Sequence, residues 1–397
     1  MSTGVFRFAV NEVKAGYILV FGREWPAWLA GIFLAILALL IFMWWNTWGV
    51  AGGYTNWGGW LFYWAGIWNQ APQSTPLTNG MSVSNIGIVL GALASALLGK
   101  QFSFYKSPPL EYAKGLVGGL LMGVGAALAS GCNVGGFYSA LAMFDLSGVT
   151  MMIGLFAGAY LGLRYLLWEI EHLPQGGASG GGKARTEPGR SRRSFKPLAG
   201  IAVFVLVLTA FQAYSLMDKT QMGGLLFFGF LIGLVMHRGR FCFANAFREP
   251  FMTGDSRMMR AVLWSLLIYA LGSAVIKWSY IQPPGTGVYH PFWLGSLAGG
   301  LIFGVGMLLA GGCASGTLWR MGEGHSKLWV AGFGFLLANP VTNAFLDSCE
   351  VKASLGSSIF IPEAISWQMT MAVYVVCILA LILALVWNEK TEKFVAF

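Results

Sequence analysis

Three of the five cysteines occupy sequence settings suited to handling a small anion. Cys132 and Cys313 each follow a glycine, within the segments 118–135 and 299–316. These segments align without a gap at a separation of 181 residues and agree at 11 of 18 positions. Such a match at nearly half the chain length indicates an internal repeat. The question is therefore what two equivalent thiols do together.

Each copy carries the pattern Gly-Cys-x-x-Gly, which predicts a break in a helix. A glycine gives the chain its turn, and the short helix that follows directs its first N–H groups and partial positive charge back at the cysteine. Each break is thus a candidate anion site. An alternative interpretation is that these small residues only pack at a close helix crossing. The candidate residues are Gly131, Cys132 and Asn133 in the first copy and Gly312, Cys313 and Ala314 in the second.

Cys242 is the third candidate and stands in the segment HRGRFCFANAFR, residues 237–248. Cations beside a thiol can hold an anion or lower the pKa of the thiol. Arginines that merely anchor a span on its cytoplasmic side would occupy the same positions. Both interpretations stay open for Arg240, and Asn245 is the neighbouring polar candidate.

The remaining cysteine and histidine pattern predicts neither a disulfide framework nor a metal site. The five cysteines contain no C-x-x-C pair, and an odd number cannot all be paired. His172, His290 and His325 have no companion at metal-ligand spacing and are interpreted as solvated loop residues. We therefore expect no metal and no cofactor.

The composition is that of an integral membrane protein. Of the 397 residues, 56% are hydrophobic and 10% are charged, and the mean hydropathy is +0.64. Soluble domains carry roughly 25% charged residues. The 55 glycines suit helices that pack in close contact. The net charge of +9 lies in loops between apolar stretches, as membrane orientation requires, so no nucleic-acid partner is predicted.

Apolar stretches predict about ten transmembrane helices in an all-α protein. The predicted spans are 27–45, 83–98, 116–130, 149–168, 198–214, 225–236, 261–278, 292–310, 328–345 and 367–387. Residues 1–24 are predicted to form an amphipathic helix on the membrane surface. The tryptophan-rich segment 57–68 is predicted to form an interfacial helix on the outer side.

Basic residues in the loops predict the orientation and the domain organisation. Lys and Arg concentrate in the loops 100–114, 171–197, 237–260 and 320–327. Both termini are therefore expected to be cytoplasmic, and the third and eighth spans to run in opposite directions. We predict two inverted five-helix repeats, with a short re-entrant helix after each Gly-Cys-x-x-Gly break. The predicted divisions are an N-terminal repeat 1–170, a basic cytoplasmic linker 171–197 and a C-terminal repeat 198–397. Inverted repeats with broken helices are typical of transporters.

Three motifs resemble the YeeE/YedE family of bacterial inner-membrane proteins. They are ALASGCNVGGFYSAL, HRGRFCFANAFREPFMTGDSRMMRA and LAGGCASGTLWRMGEG. Characterised members of that family take up thiosulfate, and the layout here most resembles the YedE branch, commonly named for selenium metabolism. The resemblance implies an inner-membrane transporter for thiosulfate or a related sulfur- or selenium-containing anion. It also implies that Cys132, Cys242 and Cys313 line the path, and that a cytoplasmic sulfur-carrier protein is a partner.

Two other classes of function compete with uptake by a cysteine relay. A membrane-embedded sulfurtransferase or thiol redox enzyme would need a reactive thiol, for which Cys242 is the candidate. A passive channel or a carrier for another solute would need no thiol chemistry. Spans without Asp or Glu argue against metal cations as the solute. The sequence contains no Walker motif, which argues against ATP-driven pumping by this chain alone.

Overall fold

The computed structural model describes residues 11, 12, 14–18, 20–172 and 196–395, and these residues form helices and connecting loops without a β-strand. Of the predicted surface helix 1–24, the described residues between 11 and 21 are helical. The linker prediction falls mainly on residues 173–195, outside the described part of the chain. The first seven helices along the chain are α1 Ala27–Trp44, α2 Ala51–Trp64, α3 Gly80–Leu98, α4 Pro109–Leu128, α5 Asn133–Ala142, α6 Ser147–His172 and α7 Lys196–Leu216.

The second half continues with the same kinds of element. Its helices are α8 Thr220–Arg238, α9 Phe243–Met252, α10 Arg257–Trp278, α11 Leu294–Ala310, α12 Ala314–Glu323, α13 Ser326–Ser348, the single turn α14 Ile361–Ile365 and α15 Trp367–Thr391. Within the described ranges, nine helical segments are long and apolar enough to cross a membrane, or ten if α4 and α5 together count as one span. α4 and α5 meet at an angle of 46°. The expectation of an all-α protein with about ten spans is confirmed.

The order of long and short helices occurs twice along the chain. Two half-length helices, α2 and α5, interrupt the first set, and α9 and α12 interrupt the second. The packing partners repeat as well: α4 packs on α13 as α11 packs on α6, and α3 packs on α8 as α10 packs on α1. This arrangement is consistent with two inverted repeats. The division of the chain at residues 171–197 stays a prediction.

Glycines bring the two halves into backbone contact at the centre. A Cβ placed on Gly118 of α4 would lie 2.6 Å from the carbonyl oxygen of Gly306 of α11, and one placed on Gly306 would lie 2.7 Å from that of Gly118. Gly125 and Gly299 meet in the same reciprocal way. Only a residue without a Cβ fits such a crossing, so the prediction of glycine-mediated helix packing is confirmed.

The prediction of an interfacial helix in the segment 57–68 stays a prediction, and the structure adds that α2, which carries most of this segment, is docked on other helices. This helix packs on α3 and α13, and Tyr54 on it is buried. A Cβ on Gly58 would collide with the carbonyl oxygen of Leu336. Glycine therefore lets α2 dock inside the bundle, and only its end at Trp64 is exposed. Counting aromatic residues could not detect this docking surface, because the contact is made by glycine.

Candidate functional site

A large cavity runs from the protein surface to the first Gly-Cys-x-x-Gly break. Its volume is about 1210 Å³. Exposed residues such as Asn69, Gln70 and Asp347 surround its mouth, whereas Gly131 and Cys132 lie buried at its floor. Among the described residues that line it there is no Lys or Arg. A solute that enters from this side therefore meets amides, hydroxyls and the Asp347 carboxylate first and a thiol last.

Cys132 occupies the position just before α5, in an extended conformation with φ −80° and ψ −179°. The first seven residues of α5 form a π-helix, which begins at Asn133. Asn133 is fully buried, and neither its amide nitrogen nor its amide oxygen has a hydrogen-bond partner in the described structure. A buried polar group without a partner is costly and indicates a bound water or ligand.

His290 lies beside the same break, and its interpretation as a solvated loop residue is wrong. Its side chain is 1% exposed, because Asp145 anchors it through both the backbone N–H and Nδ1, each 3.2 Å from the carboxylate. The other ring nitrogen, Nε2, has no partner among the described residues. A Cβ placed on Gly131 would lie 3.0 Å from this Nε2 atom. Glycine at position 131 thus leaves the imidazole facing the break.

Asp145, which orients His290, is itself held by buried neighbours. Asp145 also accepts hydrogen bonds from the backbone N–H and the hydroxyl of Ser147. Lys277 is fully buried and donates to the carbonyl of Met143, two residues before Asp145. A buried carboxylate with these partners fixes the imidazole in one orientation. No local sequence pattern predicts this group, since its members come from three separate segments.

Cys313 repeats the backbone geometry of Cys132 but has different surroundings. Its φ of −79° and ψ of 178° match those of the first copy, and it directly precedes α12. The sulfur accepts a hydrogen bond from the backbone N–H of Gly316 at 3.3 Å, and the hydroxyl of Ser315 lies 3.5 Å away. Gly312 and Ala314, the flanking candidates, are buried with it.

Cys242 lies next to Cys313. The two thiols interact with each other, and the Cys242 thiol also interacts with the backbone of Ala244 and Asn245 at the start of α9. A Cβ placed on Gly316 would lie 3.2 Å from the sulfur of Cys313 and 3.4 Å from that of Cys242. The last glycine of the motif therefore makes room for a pair of thiols. Both sulfurs stand at helix N-termini, those of α9 and α12.

Arg240, predicted as an anion-holding residue, is engaged in an ion-pair cluster beside these thiols. Its guanidinium donates to Glu323 at 2.6 Å and to Glu24 at 3.2 Å. His237 lies 3.6 Å from the same buried Glu323 carboxylate. The cation in electrostatic contact with Cys242 is Arg320, which also donates to the carbonyl of Gly311.

The structure thus divides the candidate residues into two groups. The outer group is Gly131, Cys132 and Asn133, together with His290. The inner group is Cys242, Asn245, Gly312, Cys313 and Ala314. Sequence reasoning missed Tyr54, His290, Trp319 and Glu323. Trp319 and Glu323 lie inside the motif LAGGCASGTLWRMGEG, whereas Tyr54 and His290 stand in no recognisable motif. A pattern that could have been noticed is that Cys242 starts a short helix as the other two thiols do.

Comparison with known proteins gives one consistent result. The sulphur transport family model matches residues 7–161 and 238–396. The probable transporter YedE of Escherichia coli (strain K12) is 28% identical over 85% of this chain and 84% of that protein. The probable transporter YedE of Salmonella typhimurium is 28% identical over 76% of each chain. The thiosulfate transporter TsuA of Escherichia coli is 38% identical over 28% of this chain and 32% of its own length. No solved structure is significantly similar.

Proposed function

Since this multi-pass membrane protein belongs to the sulphur transport (YeeE/YedE) family of transporters, we propose that it takes up thiosulfate or a closely related sulfur- or selenium-containing anion along its three buried cysteines. The observation that carries this proposal is that the cavity ends on Cys132, while the other two thiols lie side by side deeper in the protein.

The outer site contains groups that can replace the water that an anion loses on entry. Entering a membrane protein removes strong hydration from an oxyanion, and an uncompensated charge there is prohibitive. The N-terminus of α5 presents N–H groups and a partial positive charge at Cys132. The unpartnered amide of Asn133 and the Nε2 atom of His290 stand next to it. An anion bound here would give these orphaned groups a partner.

The terminal sulfur of thiosulfate favours a thiol as its partner. A neutral thiol is a weak S–H donor and is polarizable, so it accepts a soft, charged sulfur without repelling it. A selenium atom in the same position is softer and larger still, which is why selenium analogues belong in the proposed substrate class. Sulfate has oxygen at that position and gains nothing from the thiol.

The inner pair would take over the anion from Cys132. The helices α9 and α12 direct their N-termini at Cys242 and Cys313, which supports binding of negative charge at this second station. Conduction through several sites requires that each be weak enough to release its ion. Thiols at helix N-termini would release an anion more readily than a cluster of arginines would.

The direction of transport follows from the placement of basic loops. Loops 100–114, 237–260 and 320–327 carry most of the described Lys and Arg, and the cavity opens on the opposite side. The positive-inside rule supports a cavity that faces outward in the bacterial inner membrane and termini that are cytoplasmic. A soluble sulfur-carrier protein would then collect the anion near Arg240 on the cytoplasmic side.

Uptake of labelled thiosulfate by cells that lack other routes tests the proposal. Cys132→Ala and Cys313→Ala should each lower uptake by at least roughly tenfold, the equivalent of about 1.4 kcal/mol. Cys349→Ala and Cys377→Ala are matched controls, since both thiols are exposed and away from the cavity, and should leave uptake unchanged. Normal uptake by both Cys132→Ala and Cys313→Ala, at normal protein levels, would refute the relay.

The sulfurtransferase alternative makes a different prediction. It requires a sulfur atom to become covalently attached to a thiol, and adjacent thiols such as Cys242 and Cys313 suit such chemistry. Intact-protein mass spectrometry after incubation with thiosulfate distinguishes the two. We expect no added sulfur mass on the transporter, whereas a stable adduct on Cys242 would favour the enzyme.

A further inference from the structure

Tyr54 lies between the outer and inner thiols and is part of neither group described above. It is on α2, where its neighbours Ala51, Gly52 and Thr55 line the outer cavity while Tyr54 itself does not. The side chain is 1% exposed. Its hydroxyl donates to the carbonyl oxygen of Ala314 at 3.3 Å, directly after Cys313. The ring therefore reaches from the cavity wall to the inner thiol pair.

The phenol stands within electrostatic range of both Cys132 and Cys313. Its ring packs against Phe335 of α13, with centroids 4.6 Å apart, and against Trp57, with centroids 5.5 Å apart. The cavity is lined by Cys132 but by neither Cys313 nor Cys242. In this conformation the outer and inner thiols are thus separated by packed protein, and Tyr54 stands in that protein, bonded to Ala314 on the inner side and within electrostatic range of Cys132 on the outer side.

We propose that Tyr54 is the gate of the permeation path, closing the passage from Cys132 to the Cys242–Cys313 pair and opening when its hydroxyl leaves the Ala314 carbonyl. This inference rests on the proposed function for its purpose, though its geometry can be tested without transport. A solute at Cys132 reaches the inner pair only when the Tyr54 ring moves.

The hydrogen bonding of the Tyr54 side chain is weak enough for the side chain to move. Its hydroxyl makes one hydrogen bond in the described structure, and 3.3 Å is long for an O–H···O bond. Tyr138, by comparison, is held by Ser265 at 2.5 Å. The freed hydroxyl of Tyr54 is also a donor that an anion oxygen accepts. The gate would thus bind the passing anion as it opens, which favours oxyanions over apolar solutes.

Thiol accessibility tests the gate. Variants that retain one cysteine, either Cys132 or Cys313, are prepared in sealed right-side-out and inverted vesicles and treated with a membrane-impermeant methanethiosulfonate. With Tyr54 present, we expect Cys132 to react from the cavity side and Cys313 to stay unreacted from that side. Adding Tyr54→Ala should bring the Cys313 reaction rate to within roughly tenfold of that of Cys132, since the barrier between them is removed.

Tyr269→Ala is the matched control, because it also removes a fully buried tyrosine ring, on α10, without opening this passage. It should leave Cys313 protected. A single symmetric peak in size-exclusion chromatography in detergent, at the elution volume of the unsubstituted protein, shows that each variant is folded. Rapid modification of Cys313 with Tyr54 present would overturn the gate, and so would continued protection of Cys313 in a folded Tyr54→Ala protein.

Two further results separate the gate from the transport proposal. Tyr54→Phe keeps the ring but loses the hydroxyl that bonds Ala314, so Cys313 should react faster than with Tyr54 and more slowly than in Tyr54→Ala, while the KM for thiosulfate uptake rises. If labelling behaves as expected but the protein with all of its cysteines takes up no thiosulfate, the gate stands and the substrate assignment fails. If uptake is normal and Cys313 is open at all times, the gate fails alone.

Discussion

At the scale of single residues, the two copies of the Gly-Cys-x-x-Gly motif have different surroundings. Cys132 and Cys313 share a backbone conformation, yet Cys132 faces a cavity and Cys313 faces a second thiol. The difference arises because Cys242 stands at the start of α9, whereas the corresponding start of α2 is Val50. The inner station therefore has two sulfur atoms and the outer station has one, with His290 and Asn133 beside it.

Gly316→Ala should damage the inner station without unfolding the protein. The added methyl group would press on both sulfur atoms, at 3.2 and 3.4 Å, while the backbone there needs no special conformation. We expect at least a roughly tenfold loss of thiosulfate uptake at normal protein level.

Gly135→Ala is the matched control, at the equivalent position of the first repeat. Its added methyl group would meet only Gly49, at 3.9 Å. We expect a much smaller loss of uptake than for Gly316→Ala. Equal losses in the two variants would show that the contact with the thiol pair is not what matters.

His290→Ala should weaken binding of the anion at the outer station. Asp145 holds the imidazole so that its Nε2 atom lies next to the break, where it would contact a bound anion. We expect the KM for thiosulfate uptake to rise roughly tenfold, or about 1.4 kcal/mol. Asp145→Asn should act in the same direction. His172→Ala is the control, because His172 is exposed and bonded to Trp168, and it should not change the KM. An unchanged KM in His290→Ala would contradict this assignment.

At the scale of elements, half-length helices make the site possible. α2, α5, α9 and α12 begin inside the bundle at Val50, Cys132, Cys242 and Cys313. A helix start buried in a membrane protein leaves N–H groups that need partners. Thiols accept some of these bonds at Cys242 and Cys313. The remaining N–H groups at each start are what an anion would bind.

Docking of α2 depends on Gly58. A methyl group there collides with the carbonyl oxygen of Leu336, so Gly58→Ala should force α2 away from α13. Overpacking of this kind costs about 1–3 kcal/mol. We expect a lower thermal unfolding temperature in detergent and a lower protein level. Gly285→Ala, where nothing lies within 4 Å, is the control and should be neutral. An unaffected Gly58→Ala protein would mean that α2 is not docked as described.

At the scale of the whole molecule, the helices of the two halves are interleaved rather than separated into two bundles. The long helices of one half pack chiefly on those of the other, and reciprocal glycine contacts between α4 and α11 mark the centre. Inverted repeats, with which this packing is consistent, can expose one site alternately to the two sides. The large cavity that ends at Cys132 fits one of two such states.

Orientation is the prediction at this scale. Fusions of a reporter to the C-terminus should show it in the cytoplasm, and a tag inserted in the loop 65–79 should be accessible from outside intact cells. A soluble cytoplasmic protein supplies the control for leakage. If the C-terminus were found outside the cell, an anion entering from outside would reach Cys313 before Cys132. Uptake would then begin at the inner pair.

The sequence by itself determined the membrane class, the number of spans, the helix breaks and the role of the glycines. Each of these follows from local composition or from a repeat, and local apolar length and Cβ size act wherever the chain lies. Only the tertiary structure decided that Cys242 meets Cys313, that α2 enters the bundle with Tyr54, and that Asp145 buries His290. These contacts join segments far apart in the chain, and their energies depend on packing that no local pattern contains.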